Sequence, residues 1–118
     1  MTILELDNFI RELTPHQLRL LQAVYDGGRR WLTRANMARA INKRRLTPYD
    51  INCLKMLAEE GIIEESTQDT NAPGSDFAYV YNMPEHVAAL MQEWWEQRER
   101  LVTQSGSDTQ RKPIRLAR

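Results

Sequence analysis

The 118 residues read as a mainly helical α+β chain carrying one small β-hairpin. Three observations lead there. Apolar residues recur at steps of three and four along several segments. The dipeptide Thr-Pro stands at 14–15 and again at 47–48, each time just ahead of such a segment. Between Phe77 and Asn82 the spacing changes to alternation, behind a turn-rich stretch.

Ile3, Leu6, Ile10 and Leu13, with Phe9 beside them, predict an amphipathic helix within residues 1–13. Thr14 is an N-cap and Pro15 a first-turn proline, so a second helix begins there. "HQLRLLQAVYD" continues it, with Leu18, Leu21 and Tyr25 on one side, and Gly27 and Gly28 stop it. Trp31 and Leu32 suit a very short strand or an extended hinge. Thr33 then caps "RANMARAIN", whose inner face is Met37, Ala38 and Ile41. Asn42 and the cations after it make the turn.

Thr47-Pro48 repeats the cap signal, and Asp50 completes a capping box with Asp in place of the usual Glu or Gln. Ile51, Leu54, Leu57 and Ala58 are the expected buried stripe of this helix, residues 48–60, and Gly61 its stop. "IIEEST" and "FAYVYNM" are β-prone, and "QDTNAPGSD" between them predicts a hairpin with a long loop. Pro84 opens a last helix in which Val87, Leu90, Met91 and Trp94 follow the i, i+3, i+4, i+7 pattern, with Leu101 extending the stripe. From Thr103 the chain is polar and then basic, and is expected to be poorly ordered. The expected organisation is thus 1–13, a core unit at 14–83, a helix at 84–102 and a tail at 103–118.

Hydrophobic residues are 42% and charged residues 27%, the balance of a globular protein. No apolar run approaches the roughly 20 residues of a membrane span. "MTILELDNFI" has acids where a secretory signal needs cations, so it reads as mature chain. The single Cys53 excludes an internal disulfide framework and fits a reducing, cytoplasmic setting.

Net charge is zero, but the charges are segregated. From Gly27 to Tyr49 stand seven cations (Arg29, Arg30, Arg34, Arg39, Lys43, Arg44 and Arg45) and no acid. From Met56 to Gln97 stand nine acids and no Lys or Arg. The last eight residues add Arg111, Lys112, Arg115 and Arg118. Separated fields let one face attract a polyanion while the whole remains neutral. Ordinary solvated faces are the alternative.

Helix, short helix, turn, helix and hairpin, in that order, resemble the winged helix-turn-helix fold. The pattern is similar to the MarR-like group and its ArsR-like and PadR-like relatives. "LT…QLRLLQAV" resembles the opening helix, "LTRANMARAIN" the first motif helix, and "LTPYDINCLKMLAEEGIIEE" the recognition helix entering the wing. The resemblance covers residues 14 to about 83, and hydrophobic spacing and "EEGII" carry most of it. It implies a cytoplasmic transcriptional regulator, dimeric, that binds double-stranded DNA. A similar DNA-binding factor, such as a plasmid partition or replication-control protein, is the alternative.

A helix fits the DNA major groove, and its amino-terminal turns reach base edges while its free N–H groups face phosphates. Lys43, Arg44 and Arg45 precede helix 48–60 where phosphates would pass. At about 100° per residue, the side opposite the apolar stripe presents Tyr49, Asn52 and Met56, with Lys55 and Glu59 at its edges. Asn52 could pair with adenine, Tyr49 could touch a phosphate or a thymine methyl, and Lys55 could meet phosphate; Asn52 and Lys55 equally read as solvated residues. Arg34 and Thr47 complete the expected DNA-contacting set.

The wing departs from the family pattern. Its loop offers Asp69 and Asp76 and no cation, flanked by Glu64 and Glu65. Such a wing either stands off the duplex or belongs to a protein-interaction module without DNA affinity. A single-strand or RNA binder is disfavoured, because no basic sheet carries aromatics.

The first and last helices each show an apolar stripe beyond what a small winged core covers. Ile3, Leu6, Phe9, Ile10, Leu13, Val87, Leu90, Met91, Trp94 and Leu101 are therefore expected at a homodimer interface. Cys53 reads as a partly buried structural thiol rather than a redox sensor. His16, His86 and Cys53 match no metal-ligand spacing. Trp94 and Trp95 read as core or interface rather than a ligand pocket. No nucleophile–base pair, phosphate loop or carboxylate dyad stands out, so neither an enzyme nor a cofactor is expected, and the sequence names no small-molecule effector.

Overall fold

In the computed structural model, which describes residues 1–28, 30–69 and 77–106 (100–106 as backbone alone), four helices begin at a threonine. Helix α1 (Ile3–Arg11) starts at Thr2, α2 (Pro15–Asp26) at Thr14, α3 (Arg34–Ala40) at Thr33 and α4 (Pro48–Glu59) at Thr47. Each threonine hydroxyl accepts the amide three residues on. The side chain there (Glu5, Gln17, Asn36 or Asp50) returns to the threonine amide. A capped start stabilises a helix by about 1 kcal/mol, a meaningful share for helices of this length. Pro84 precedes α5 (Glu85–Gly106), and its carbonyl accepts from Val87 and Ala88. The last helix runs to Gly106, past the expected end at residue 102.

Strand β1 (Leu32–Thr33) pairs antiparallel with β3 (Phe77–Asn82), which pairs antiparallel with β2 (Glu64–Asp69), in the order β1-β3-β2. The element order α1-α2-β1-α3-α4-β2-β3-α5 is the one expected from the sequence. Two boundaries differ. Trp31 lies outside β1 and is 43% exposed. Ile62 and Ile63, expected in the strand, are buried just ahead of it. The cause is Gly61, whose φ of 79° places it in the left-handed region after α4. The Ile62 amide then closes on the Leu57 carbonyl and the Gly61 amide on the Ala58 carbonyl, and the turn directs Ile62 inward.

The core joins Leu6 and Ile10 of α1, Leu20, Leu21 and Val24 of α2, Met37 and Ile41, Leu54 and Leu57 of α4, Tyr81, and Val87, Met91 and Trp94 of α5. This corrects the interface expectation for Leu6, Ile10, Val87, Met91 and Trp94. They are 0–6% exposed within one chain because α1 and α5 pack on each other and on the winged core. Ile3, Phe9, Leu13 and Leu90 are half-buried against the same core, and the Leu101 side chain lies outside the described residues. Asp7 fastens the α1–α5 pair: its carboxylate accepts from Trp94 Nε1 at 2.9 Å and from Arg11 Nε at 2.8 Å. Those donors hold the Asp7 carboxyl below its usual range. Trp95 Nε1 donates to Gln22, tying α5 to α2.

Gly27 ends α2 close against Leu32, which a larger residue would have to displace. A Cβ there would stand 2.5 Å from Leu32 Cδ1 and 3.0 Å from its Cγ, and Leu32 is buried. Gly27→Ala is expected to lower stability by about 1–3 kcal/mol through overpacking. A urea titration reading the same midpoint for both proteins would show that Leu32 can retreat.

Candidate nucleic-acid interface

The link from α3 to α4 is built on Asn42, which takes φ 63°, a conformation asparagine tolerates better than most residues. The Lys43 amide closes on the Ala38 carbonyl and the Asn42 amide on Arg39, so α3 ends in the same kind of turn as α4. Leu46 is buried and pins the turn to the core. Arg19 reaches across from α2 and donates to the Ile41 carbonyl at 2.6 Å.

This turn delivers Lys43 to Asp50. The Asp50 carboxylate is fully buried and sits among three donors. Oδ2 accepts from Lys43 Nζ and from the Thr47 amide, both at 2.8 Å, and Oδ1 lies 2.5 Å from His16 Nε2. Burial alone would push this carboxyl up. The Lys43 ammonium, the Thr47 amide and the His16 ring outweigh burial and hold it well below the usual carboxylate range. His16 also stacks on Tyr49, with ring centroids 5.6 Å apart. One buried carboxylate thus fixes α2, the turn and the first turn of α4 to one another.

Lys43 and Thr47 are therefore engaged inside the protein. Lys43 neutralises Asp50, and the Thr47 hydroxyl accepts the Asp50 amide as the helix cap. Arg34 is engaged too. Its Nε donates to the Tyr81 hydroxyl at 3.0 Å, and its guanidinium lies 4.1 Å from the Tyr79 ring centroid, so it clamps α3 to β3. Burial raises the Tyr81 hydroxyl above its ordinary range, against the opposing effect of Arg34.

Arg44 and Arg45 remain exposed at the amino end of α4, and Tyr49, Asn52, Lys55 and Glu59 form the exposed ridge of that helix. Met56 is half-buried. The inward side is Asp50, Cys53, Leu54 and Leu57, while Ile51 and Ala58 are only partly buried, so the helix is rotated slightly from the expected stripe. Cys53 is 4% exposed, which removes the accessible thiolate a redox sensor needs. All six β2 residues are exposed, among them Glu64, Glu65 and Asp69. Arg29, Asp76 and the basic positions 111–118 lie outside the described residues.

Sequence reasoning found the Asp50 capping box but not the rest of the cluster. His16 and Asp50 are 34 positions apart, and no spacing rule joins them. Among the described residues no group of His, Cys, Asp and Glu could hold a metal ion, and no helix is long and apolar enough to cross a membrane.

No protein-family model matches the chain, and no curated protein matches it. Two solved structures do. A possible transcriptional regulator from Methanosarcina mazei Go1 superposes with a TM-score of 0.54 at 15% identity, covering 88% of each chain. A mutant of MepR from a multidrug-resistant S. aureus clinical isolate gives a TM-score of 0.59, also at 15% identity, covering 93% of this chain and 85% of that one. The chain shares the fold of these two structures, five helices with a small three-stranded antiparallel sheet in winged-helix order.

Proposed function

We propose that the protein is a DNA-binding transcriptional regulator that reads duplex DNA with α4. The observation that carries this reading is the exposed ridge Tyr49, Asn52 and Lys55, with Arg44 and Arg45 exposed at its amino-terminal end. The ridge follows helical steps of three, so its side chains would enter one groove together. The Asp50 cluster presets that helix end at the angle set by α2 and the turn, so little ordering is left for binding. The fold shared with solved regulators supports the reading.

A gel-shift screen of genomic fragments at low and moderate salt tests it, with retarded bands for a subset of fragments expected. Asn52→Ala is expected to lower preference for the bound site by about 1–3 kcal/mol and to leave non-specific affinity nearly unchanged. An equal loss on every duplex would place Asn52 on phosphate rather than on a base.

A homodimer completes the proposal, since two-fold symmetry sets two reading helices about 34 Å apart. With Leu6, Ile10 and Trp94 used inside one chain, its apolar contact falls to what is left outside. Leu4 is 66% and Met1 52% exposed on or beside α1, and Trp95 is 37% exposed on α5. Sedimentation equilibrium is expected to give a dimer that Leu4→Glu weakens; a natural chain that sediments as a monomer at micromolar concentration removes the claim.

The acidic β2 supports a second reading, a winged helix that binds a protein and not DNA. No band shift at low salt would bring it to the front.

A further inference from the structure

Strand β2 forms one margin of the sheet. It pairs with β3 on one side, and all six residues of "EESTQD" are exposed. Its other side has no strand partner among the described residues. Backbone N–H and C=O groups along such a margin accept an added strand. The margin is acidic as well. Among the described residues Glu59, Glu60, Glu64 and Asp69 make no ion pair, and no Lys or Arg stands between Met56 and Gln97 to supply one locally.

Its two faces differ. Register puts Glu65, Thr67 and Asp69 on one face with Tyr81, Tyr79 and Phe77 of β3. Phe77 is 47% exposed and meets Tyr79 edge-to-face at 5.4 Å. The chain itself lays a guanidinium on this aromatic row, Arg34 at 4.1 Å from the Tyr79 ring centroid. The opposite face carries Glu64, Ser66 and Gln68. There a groove of about 680 Å³ opens at the root of β2, lined by Trp31, Lys55, Ala58, Ile63, Glu64 and Pro84 among others. Trp31 leaves 43% of its surface to solvent, and Lys55 stands among the carboxylates of the groove. One face therefore suits cations and the other suits apolar side chains.

We propose that β2 binds, by strand addition, an extended cationic segment of another protein in which arginine alternates with apolar residues. The arginines lie on the face of Glu65 and Asp69, and the apolar side chains point to the side of the Trp31 groove. The spacing supports this. Glu65 and Asp69 lie on one face with Thr67 between them, so alternate arginines of the incoming strand meet both carboxylates. An arginine opposite the short Thr67 lies toward the aromatic row, where ring faces attract a cation as Tyr79 attracts Arg34. The acids also exclude the simplest competitor. A second copy of β2 paired antiparallel in register would set Glu64 against the partner's Asp69 at both ends, and like charges directly opposite are destabilising. Tyr49 and Asn52 line no part of the groove, so this binding goes beyond the DNA reading and does not depend on it.

Amide NMR spectra of the full chain at low salt, without DNA, test this, with a short synthetic peptide of alternating arginine and valine as the probe. The amides of Glu64–Asp69 and the Trp31 indole are expected to shift as the peptide is added. Glu65→Gln with Asp69→Asn, both at exposed positions, is expected to weaken binding about tenfold. The same peptide with alternate amides N-methylated keeps its charge and loses its strand pairing, and is expected to bind at least about tenfold more weakly. A peptide of alternating glutamate and valine is expected to leave the spectrum unchanged. No shift at about 1 mM of the arginine peptide overturns the proposal. Binding that survives N-methylation also overturns it, because charge attraction without an added strand would explain the shifts. Binding that survives the Glu65 and Asp69 replacements overturns it equally. Because no DNA is present, each of these failures leaves the DNA-binding reading standing, and a failed gel shift leaves this proposal standing.

Discussion

Asp50→Ala is expected to lower stability by about 3 kcal/mol. Removing one partner of a buried ion pair costs about 3–5 kcal/mol, because the remaining charge loses its compensation. Here the partners soften the loss. Lys43 and His16 side chains are 32% and 27% exposed, so both can turn partly into water, and the low end of that range applies. For a domain of this size the loss corresponds to a fall in Tm of roughly 10–15 °C. Thermal unfolding followed by circular dichroism reads it directly. A drop of only a degree or two would mean that Thr47 caps α4 adequately alone and that the cluster adds no net stability.

The same group sets an acid dependence. The folded carboxyl is held below its ordinary pKa, so the unfolded chain binds the proton more readily than the folded one. The stability that follows is fully present above the ordinary Asp range near about 3.9 and drains away as pH falls below it. Urea midpoints of the natural protein and Asp50→Asn are therefore expected to stand apart at neutral pH and converge in acid. A gap that stays constant with pH would show that the carboxylate charge contributes nothing.

Most of the fold was legible in the sequence because local rules and tertiary packing agree. Thr14-Pro15 and Thr47-Pro48 announce helices that do begin there, and Gly61 ends one where its left-handed conformation requires. For Leu6, Ile10, Val87, Met91 and Trp94 the interface expectation gave way for a physical reason. An apolar stripe such as Leu6 and Ile10 says that a helix must be covered but not by what, and α5 of the same chain does the covering. The site was half legible. Periodicity placed Tyr49, Asn52 and Lys55 outward. It could not show that Lys43 and Arg34 are engaged by Asp50 and Tyr81, because those contacts cross 7 and 47 positions of sequence and depend on how the turn and sheet fold back.

That difference in engagement leads to the second large effect. Arg44→Ala with Arg45→Ala is expected to weaken binding to all duplexes alike and to flatten the log–log salt dependence by about 1.8 units, two contacts at about 0.9 each. Lys43→Ala is expected to change the slope by less than one contact. Its ammonium already neutralises Asp50 at 2.8 Å and releases few counterions from DNA. Its cost should appear in stability instead, as the smaller relative of the Asp50 loss, and a double-mutant cycle between the two isolates their coupling. The three cations of the turn thus divide: two are available for phosphate and one holds the helix that would read the base pairs. Fluorescence anisotropy titrations at several salt concentrations separate these roles. If the Arg44/Arg45 protein is folded and keeps both affinity and salt slope, the arginines are a solvated turn. The acidic wing would then mark the more important surface, and the protein-binding reading takes first place.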